Sequence, residues 1–218
     1  MIGLTGGIAS GKSTVTARLR ALGAFVADAD VVSREAVASK EVLTKLCEAF
    51  GDPVIAPDGS LDRAALAAAV FGSAEKTALL NAITHPAIAK MLLDTARGAE
   101  SSGIYPLVFV DAALLIESGF YKNCDSVWLV TAEKQVRIRR VMARDGLSYE
   151  DAVKRIDRQM SDEEKRPFAT TVIENDSTVS ELIERVDEAF FCELFGKKPL
   201  LPGEDRYYEE IREIYAEE

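Results

Sequence analysis

Cysteine is scarce and never closely spaced. Cys47, Cys124 and Cys192 lie far apart, and no Cys-x-x-Cys occurs. This disfavours a disulfide framework and predicts reduced thiols of the kind kept in a cytosol. Long apolar runs are also missing. The run "LVFVDAALLI" is broken by an acid, and no window of about 18 apolar residues exists, so no membrane-spanning helix is expected. Met1 leads at once into a stretch that reads as a buried strand, which leaves no room for the charged and apolar regions of a signal peptide. A cytoplasmic protein is the expectation. An excess of positive charge is lacking too. The formal net charge is -10, which argues against a nucleic-acid binder. Internal repeats and low-complexity tracts are absent.

What is present fits one globular unit. The chain has 218 residues, 48% of them hydrophobic, enough for one sizeable core with smaller appended pieces. Charge is uneven along it. Arg137, Arg139, Arg140, Arg144, Lys154, Arg155, Arg158, Lys165 and Arg166 crowd one segment. Two readings stand: a site for a small anion, or a solvated helix face, since acids share the same window.

The first fifty residues alternate strand, helix, strand, the pattern of a parallel α/β sheet. Residues 1–5 form a short apolar run. Val15, Leu19 and Leu22 then recur at helical spacing, and Gly23 closes that helix. "AFVADAD" reads as the second strand. From Val31 to about Gly98 the chain reads as helical, broken by the turn-rich "DPVIAPDGS". The α/β rhythm returns at "YPLVFVDAALLIE", followed by strands at "DSVWLVTA" and "ATTVIEND". Before the last strand lies "GLSYEDAVKRIDRQMSDEEKRPF". Ser148 and Ser161 each open a capped helix there, with acids in the first turn. This charged hairpin reads as a mobile lid or as a static surface pair. Leu182, Ile183, Val186 and Phe190 mark a final core helix. Beyond it, Tyr207, Ile211, Ile214 and Tyr215 share one face of an acidic tail, either packed on its own core or forming an oligomer contact.

"GLTGGIASGKST" carries the chemistry. Gly6, Gly11, Lys12 and Ser13 meet the pattern G-x-x-x-x-G-K-[ST], after a strand and before a helix. Successive N–H groups of Gly7 to Lys12 can form a nest around a β-phosphate, and the helix N-terminus adds its positive end. Lys12 can bridge the β- and γ-phosphates, and the Ser13 hydroxyl is placed to ligate Mg²⁺. Asp111 ends the apolar strand "LVFVD", the usual place for a carboxylate that helps hold the metal.

A nucleoside triphosphate does not by itself define a function. A switch GTPase would carry Asn-Lys-x-Asp, which is absent. A helical insertion after strand two and a charged lid before strand five fit instead a small kinase, whose site must close against water. Asp28 and Asp30 fall at the end of strand two, the sheet edge where ligands bind. Either can orient an acceptor hydroxyl, and either can instead cap the following helix. Two alternatives remain. One is a kinase for a nucleoside or nucleotide, and the other is a nucleotide-dependent regulatory protein without phosphoryl transfer.

From about Met1 to Phe191 the sequence resembles the dephospho-coenzyme A kinase family. The resemblance rests on "GLTGGIASGKS"; on "DADVVSRE" with Asp28, Asp30 and Arg34; on "LNAITHPAI" with His85 and Pro86; and on "VFVDAALLIESG" with Glu117. It continues through Arg140, Arg144, Asp145, Arg155, Gln159, Lys165 and Asn175. The family usually has glycine where Ala9 stands, proline at Ala113, phenylalanine at Ile116 and aspartate at Thr170.

The resemblance implies an α/β P-loop kinase core with a five-stranded parallel sheet, a helical acceptor domain and a lid. The boundaries implied are 1–29, 104–144 and 167–194 for the core, 30–103 for the acceptor domain, 145–166 for the lid and 195–218 for the tail. It also implies that ATP, with Mg²⁺, phosphorylates the ribose 3′-hydroxyl of dephospho-coenzyme A. Asp30 then orients or deprotonates that hydroxyl, while Lys12 and Arg140 stabilise the transferring phosphoryl. Ala9, Ser10, Gly11, Lys12, Ser13, Thr14, Arg144 and Asn175 hold the nucleotide, and Ser13 and Asp111 the metal. Asp28, Arg34, His85 and Glu117 lie near the acceptor, with a structural role at a helix start the other reading of His85. The partners implied are these small molecules alone, with no nucleic acid and no membrane, for a monomer or weak homo-oligomer.

Overall fold

The computed structural model describes residues 1–196. The tail face of Tyr207, Ile211, Ile214 and Tyr215 lies outside the described residues. In chain order the elements begin β1 (Ile2–Gly6), α1 (Lys12–Ala21), β2 (Phe25–Asp28), α2 (Ala29–Val37), α3 (Lys40–Phe50), α4 (Arg63–Val70) and α5 (Ala74–Ser102). They continue β3 (Val108–Asp111), β4 (Ser126–Thr131), α6 (Lys134–Asp145), α7 (Tyr149–Ile156), α8 (Asp162–Lys165), β5 (Thr171–Glu174) and α9 (Val179–Leu194).

The sheet is five-stranded and parallel throughout, in the order β2-β3-β1-β4-β5. Its central strands are covered on both faces, which is why they read as continuous apolar runs. Alternation sorts their side chains. Ile2, Leu4, Phe109, Trp128 and Val130 face α1 and α9, where Val15, Leu19, Leu182, Val186 and Phe190 complete the larger core. Val108, Val110 and Val127 turn the other way, to Val32 of α2 and Leu92 and Ala96 of α5. Trp128 meets Phe109 edge-on at 5.0 Å between ring centroids. Its indole N–H donates to Glu193 of α9 at 3.2 Å, so the buried ring leaves no donor unpaired.

The helical insertion has a separate core of Val42, Leu46, Val54 and Leu66, with Leu80, Ile83 and Ala87 against it. The 29-residue α5 belongs to both cores. Its first half packs in the insertion and its second half against the sheet.

Two local expectations are corrected. His85 does not start a helix, because α5 begins after Ser73, whose hydroxyl accepts the Lys76 N–H. Proline disfavours helix in the residue before it and removes an interior hydrogen bond, which is what made a boundary legible there. The helix nevertheless runs through Pro86, since each flank is anchored by its own core. Asp30 does not sit on strand two. β2 ends at Asp28, and Asp30 lies in the first turn of α2.

Because Leu46 is fully buried in the smaller core, Leu46→Ala is expected to destabilise the insertion by about 3 kcal/mol. Hydrogen exchange should accelerate in α3 and α4 well beyond any change in β1, β3 and β4. Uniform acceleration would show that the two cores do not open separately.

Candidate active site

The loop between β1 and α1 is shaped by what it can approach. A β-carbon on Gly6 would come within 2.6 Å of both Ser10 Oγ and the Val130 carbonyl. One on Gly7 would collide with the Arg137 guanidinium, and one on Gly11 with the Asn175 carboxamide. Gly11 has φ 101 and brings no capping side chain, so the leading N–H groups of α1 stay open to an anion. Ala9 has φ 60, the one non-glycine residue at positive φ among the described residues. A methyl there costs roughly 1–2 kcal/mol of local strain, which glycine would avoid. The Ser10 hydroxyl is buried without a hydrogen-bond partner.

Three consecutive loop carbonyls are capped from outside. Arg137 Nε donates to the Ile8 carbonyl at 2.9 Å, Arg140 Nη1 to that of Ala9 at 3.3 Å, and Asn175 Nδ2 to that of Ser10 at 2.7 Å. A trans peptide sets the next N–H opposite its carbonyl. Drawing these carbonyls outward therefore turns the N–H groups of Ala9 and Gly11 inward, which is the construction of an anion nest. The Ser10 N–H is spent within the loop, on the Gly7 carbonyl at 3.0 Å. Arg140 Nη2 also donates to the Asn175 carbonyl at 3.1 Å, so Arg140 and Asn175 brace each other as well as the loop.

The acids gather at the strand ends beside Lys12. Register pairs Asp28 of β2 and Leu4 of β1 with Asp111 of β3, so the two carboxylates end neighbouring strands. Asp111 is buried. It forms an ion pair with Lys12 and accepts the Thr16 hydroxyl at 2.6 Å. Asp28 is the N-cap of α2, its Oδ1 accepting the N–H groups of Asp30 at 2.8 Å and Val31 at 3.3 Å. Asp30, two residues on, is exposed and its carboxylate makes no hydrogen bond or ion pair among the described residues. Arg34 folds back onto the Asp30 carbonyl at 3.1 Å. Of the two candidate acids, the capping role falls to Asp28, and Asp30 keeps a carboxylate that can engage a ligand.

Over the loop lies a cleft of about 700 Å³, walled by the loop itself with Arg140, Arg144, Gln159 and Asn175. Lys12, Ser13 and Thr14 form its helical edge. Arg144 binds Asp145 through both Nε and Nη2, at 2.8 and 2.9 Å, and Arg155 reaches the same carboxylate at 2.9 Å. Arg144 holds that carboxyl below its usual range, with Arg155 adding to the effect. Glu117 pairs with Lys165 at 2.9 Å, the lysine being fully buried. His85 is exposed on α5 and lines neither this cleft nor the groove of about 730 Å³ between α3 and α5. That groove contains none of the predicted site residues except by neighbourhood to His85, through Pro86.

The sequence pointed to Arg140 and Asn175 at the site, but it gave Arg137 and Gln159 no role in holding the loop. Arg137 stood only in a list of basic residues, yet it is buried, grips Ile8 and pairs with Asp162 at 3.2 Å. Burial raises the Asp162 carboxyl above its usual range, with Arg137 partly opposing that. Gln159 accepts the Ile8 N–H at 2.7 Å. One signal was available: Arg137 and Arg140 stand three apart on α6, on one helix face. The two residues the sequence offers a divalent cation, Ser13 and Asp111, carry hard oxygen donors of the kind magnesium takes, and Asp111 is here engaged by Lys12 and Thr16. Among the described residues no group of three or more His, Cys, Asp and Glu side chains stands together. A cation here would therefore depend on phosphate oxygens and water for its remaining ligands.

Comparison with known proteins follows the same line. The family model for dephospho-CoA kinase matches residues 1–181. A dephospho-CoA kinase of Geobacter sulfurreducens is 44% identical over 189 residues, covering 86% of this chain and 95% of that protein. Among solved structures, a Thermus thermophilus protein superposes with a TM-score of 0.72 at 42% identity, over 88% of this chain and 96% of its own. A dephospho-CoA kinase from Campylobacter jejuni gives 0.71 at 27% identity, over 89% and 97%. With its phosphate loop, its parallel strand order and this likeness across most of its length, the chain belongs to the dephospho-CoA kinase family.

Proposed function

We propose that this protein transfers the γ-phosphoryl group of ATP to the ribose 3′-hydroxyl of dephospho-CoA, giving CoA and ADP. What supports the reading is the chain of neighbours from the phosphate loop to an uncommitted acid. Lys12, at the open N-terminus of α1, pairs with Asp111 at the end of β3. Asp28 ends the adjacent β2, and Asp30 opens the helix that follows it.

Each residue then has a task. The nest and Lys12 take the phosphates, Lys12 leaving Asp111 for the β- and γ-oxygens. Asp30 accepts the hydrogen bond of the 3′-hydroxyl and aligns it for attack. A base as weak as a carboxylate suffices, because the loose transition state asks little activation of the nucleophile. Arg140 and Arg144 face the cleft and supply positive charge where the phosphoryl group moves. Arginine suits this because its planar fork grips two oxygens and stays charged. Arg34 and Glu117 attend the acceptor. Ser13 and Asp111 would hold Mg²⁺, which when bound neutralises phosphate charge. The charged hairpin of α7 and α8 excludes water from the closed site.

On the same reading the protein works in the cytoplasm on small molecules alone, as a monomer or weakly associating homo-oligomer. The net charge of -10 supports the absence of a nucleic-acid partner. Among the described residues no helix is long and apolar enough to cross a membrane.

Two measurements test this. With ATP and Mg²⁺, a panel of dephospho-CoA, nucleosides and nucleotides should give ADP in step with product for dephospho-CoA by at least about a hundredfold in kcat/KM, a preference of roughly 3 kcal/mol. A nucleoside preferred over dephospho-CoA would overturn the acceptor. Asp30→Asn should keep the affinity for ATP within about twofold and lower kcat by two orders of magnitude or more. Unchanged turnover would remove Asp30 from the chemistry.

A further inference from the structure

The stretch from the end of α7 through α8 sends three side chains inward at intervals of three residues: Gln159, Asp162 and Lys165. Two are buried anchors. Asp162 pairs with Arg137 at 3.2 Å, and Lys165 with Glu117 at 2.9 Å. Ser161 and Glu164 close a capping box between them, so the segment is held firmly where it stands. Gln159 is different. It is half-buried, it lines the cleft over the phosphate loop, and its Oε1 accepts the Ile8 N–H at 2.7 Å. The opposite side of Ile8 is held by Arg137 at 2.9 Å. Ile8 is therefore gripped at both its N–H and its carbonyl, and the next peptide N–H, that of Ala9, is one of the two turned into the nest. Ala9 is also the strained residue at φ 60, the place where the loop has most to gain by relaxing.

We propose that Gln159 is a positioning residue for nucleotide binding: by fixing the Gly7–Ile8 peptide from the lid, while Arg137 fixes the next one, it holds Ile8 on both sides and so keeps the Ala9 N–H aimed at the nucleotide's phosphates against the strain at Ala9. This rests on the nucleotide-binding part of the function proposed above, and it adds a residue that acts through the loop's backbone. The lid then contributes to phosphate capture through the loop's geometry as well as by covering it.

Gln159→Met keeps the length and removes the acceptor. In Gln159→Met the KM for ATP and the Kd for ADP, measured by calorimetry, should each rise about tenfold, the worth of one well-placed hydrogen bond. The KM for dephospho-CoA should stay within about twofold. A Gln159→Met protein that binds ADP like the parent, or in which the KM of both substrates rises together, overturns the inference. Should the parent bind ADP but fail to phosphorylate dephospho-CoA, the acceptor reading fails, and the ADP measurements alone still decide for or against Gln159.

Discussion

The site depends on one constraint: the carbonyls of Ile8, Ala9 and Ser10 must be drawn away from the phosphates. A peptide unit is rigid, so a carbonyl facing inward would present oxygen where the ligand is already negative. Nothing within the loop can satisfy all three. Arg137, Arg140 and Asn175 do so from α6 and the end of β5. The glycines follow from this arrangement, because Gly7 and Gly11 are where the Arg137 and Asn175 side chains come too close for any β-carbon. The parallel sheet order follows as well. With β4 beside β1 and β5 beside β4, the elements that carry those donors sit on the loop's flank.

How much of this was legible depended on distance along the chain. The phosphate loop, its helix and Asp111 are local patterns, and each reads directly from spacing and apolar runs. The α/β alternation and the helical insertion read equally well, because periodicity is local too. Arg140 and Asn175 came only through the family resemblance, and the grip of Arg137 and Gln159 on Ile8 not at all. Arg137 meets Ile8 across 129 residues and Gln159 meets it across 151. A lone sequence carries no trace of such pairings beyond the presence of polar residues on helices. Asp28 and Asp30 fall between these cases. Both were visible as acids at a strand end, but which of them caps α2 depends on where β2 stops. His85 misled because proline is ordinarily a boundary, and here two cores held one helix through it.

The four departures from the family pattern gain a physical account. Thr170 exchanges hydrogen bonds with the backbone of Val127, its Oγ1 accepting from the N–H and donating to the carbonyl, both at 3.0 Å. It thereby extends the β4–β5 pairing by a side chain. Ala113 matters through its carbonyl, which receives the Thr5 hydroxyl at 3.2 Å and Lys165 at 3.5 Å. Any residue supplies that carbonyl, so the side chain there is free to vary. Ile116 is buried and keeps an apolar group in place of an aromatic one. Ala9 is the departure with an energetic cost, and its methyl is sheltered among Ile8, Met142 and neighbouring apolar residues.

The long helix α5 has a mechanical meaning. At 29 residues it extends about 43 Å, and Pro86 stands close to its midpoint, between the stretch seated in the insertion and the stretch seated on the sheet. The hydrogen bond that proline deletes is thus missing at the seam between two bodies rather than beneath either. A tilt of about 5° at that seam carries the far end of the rod some 2 Å, roughly half a residue's reach in an extended chain. The joint between the sheet's core and that of the helical insertion is therefore a lever whose missing hydrogen bond lies at its fulcrum.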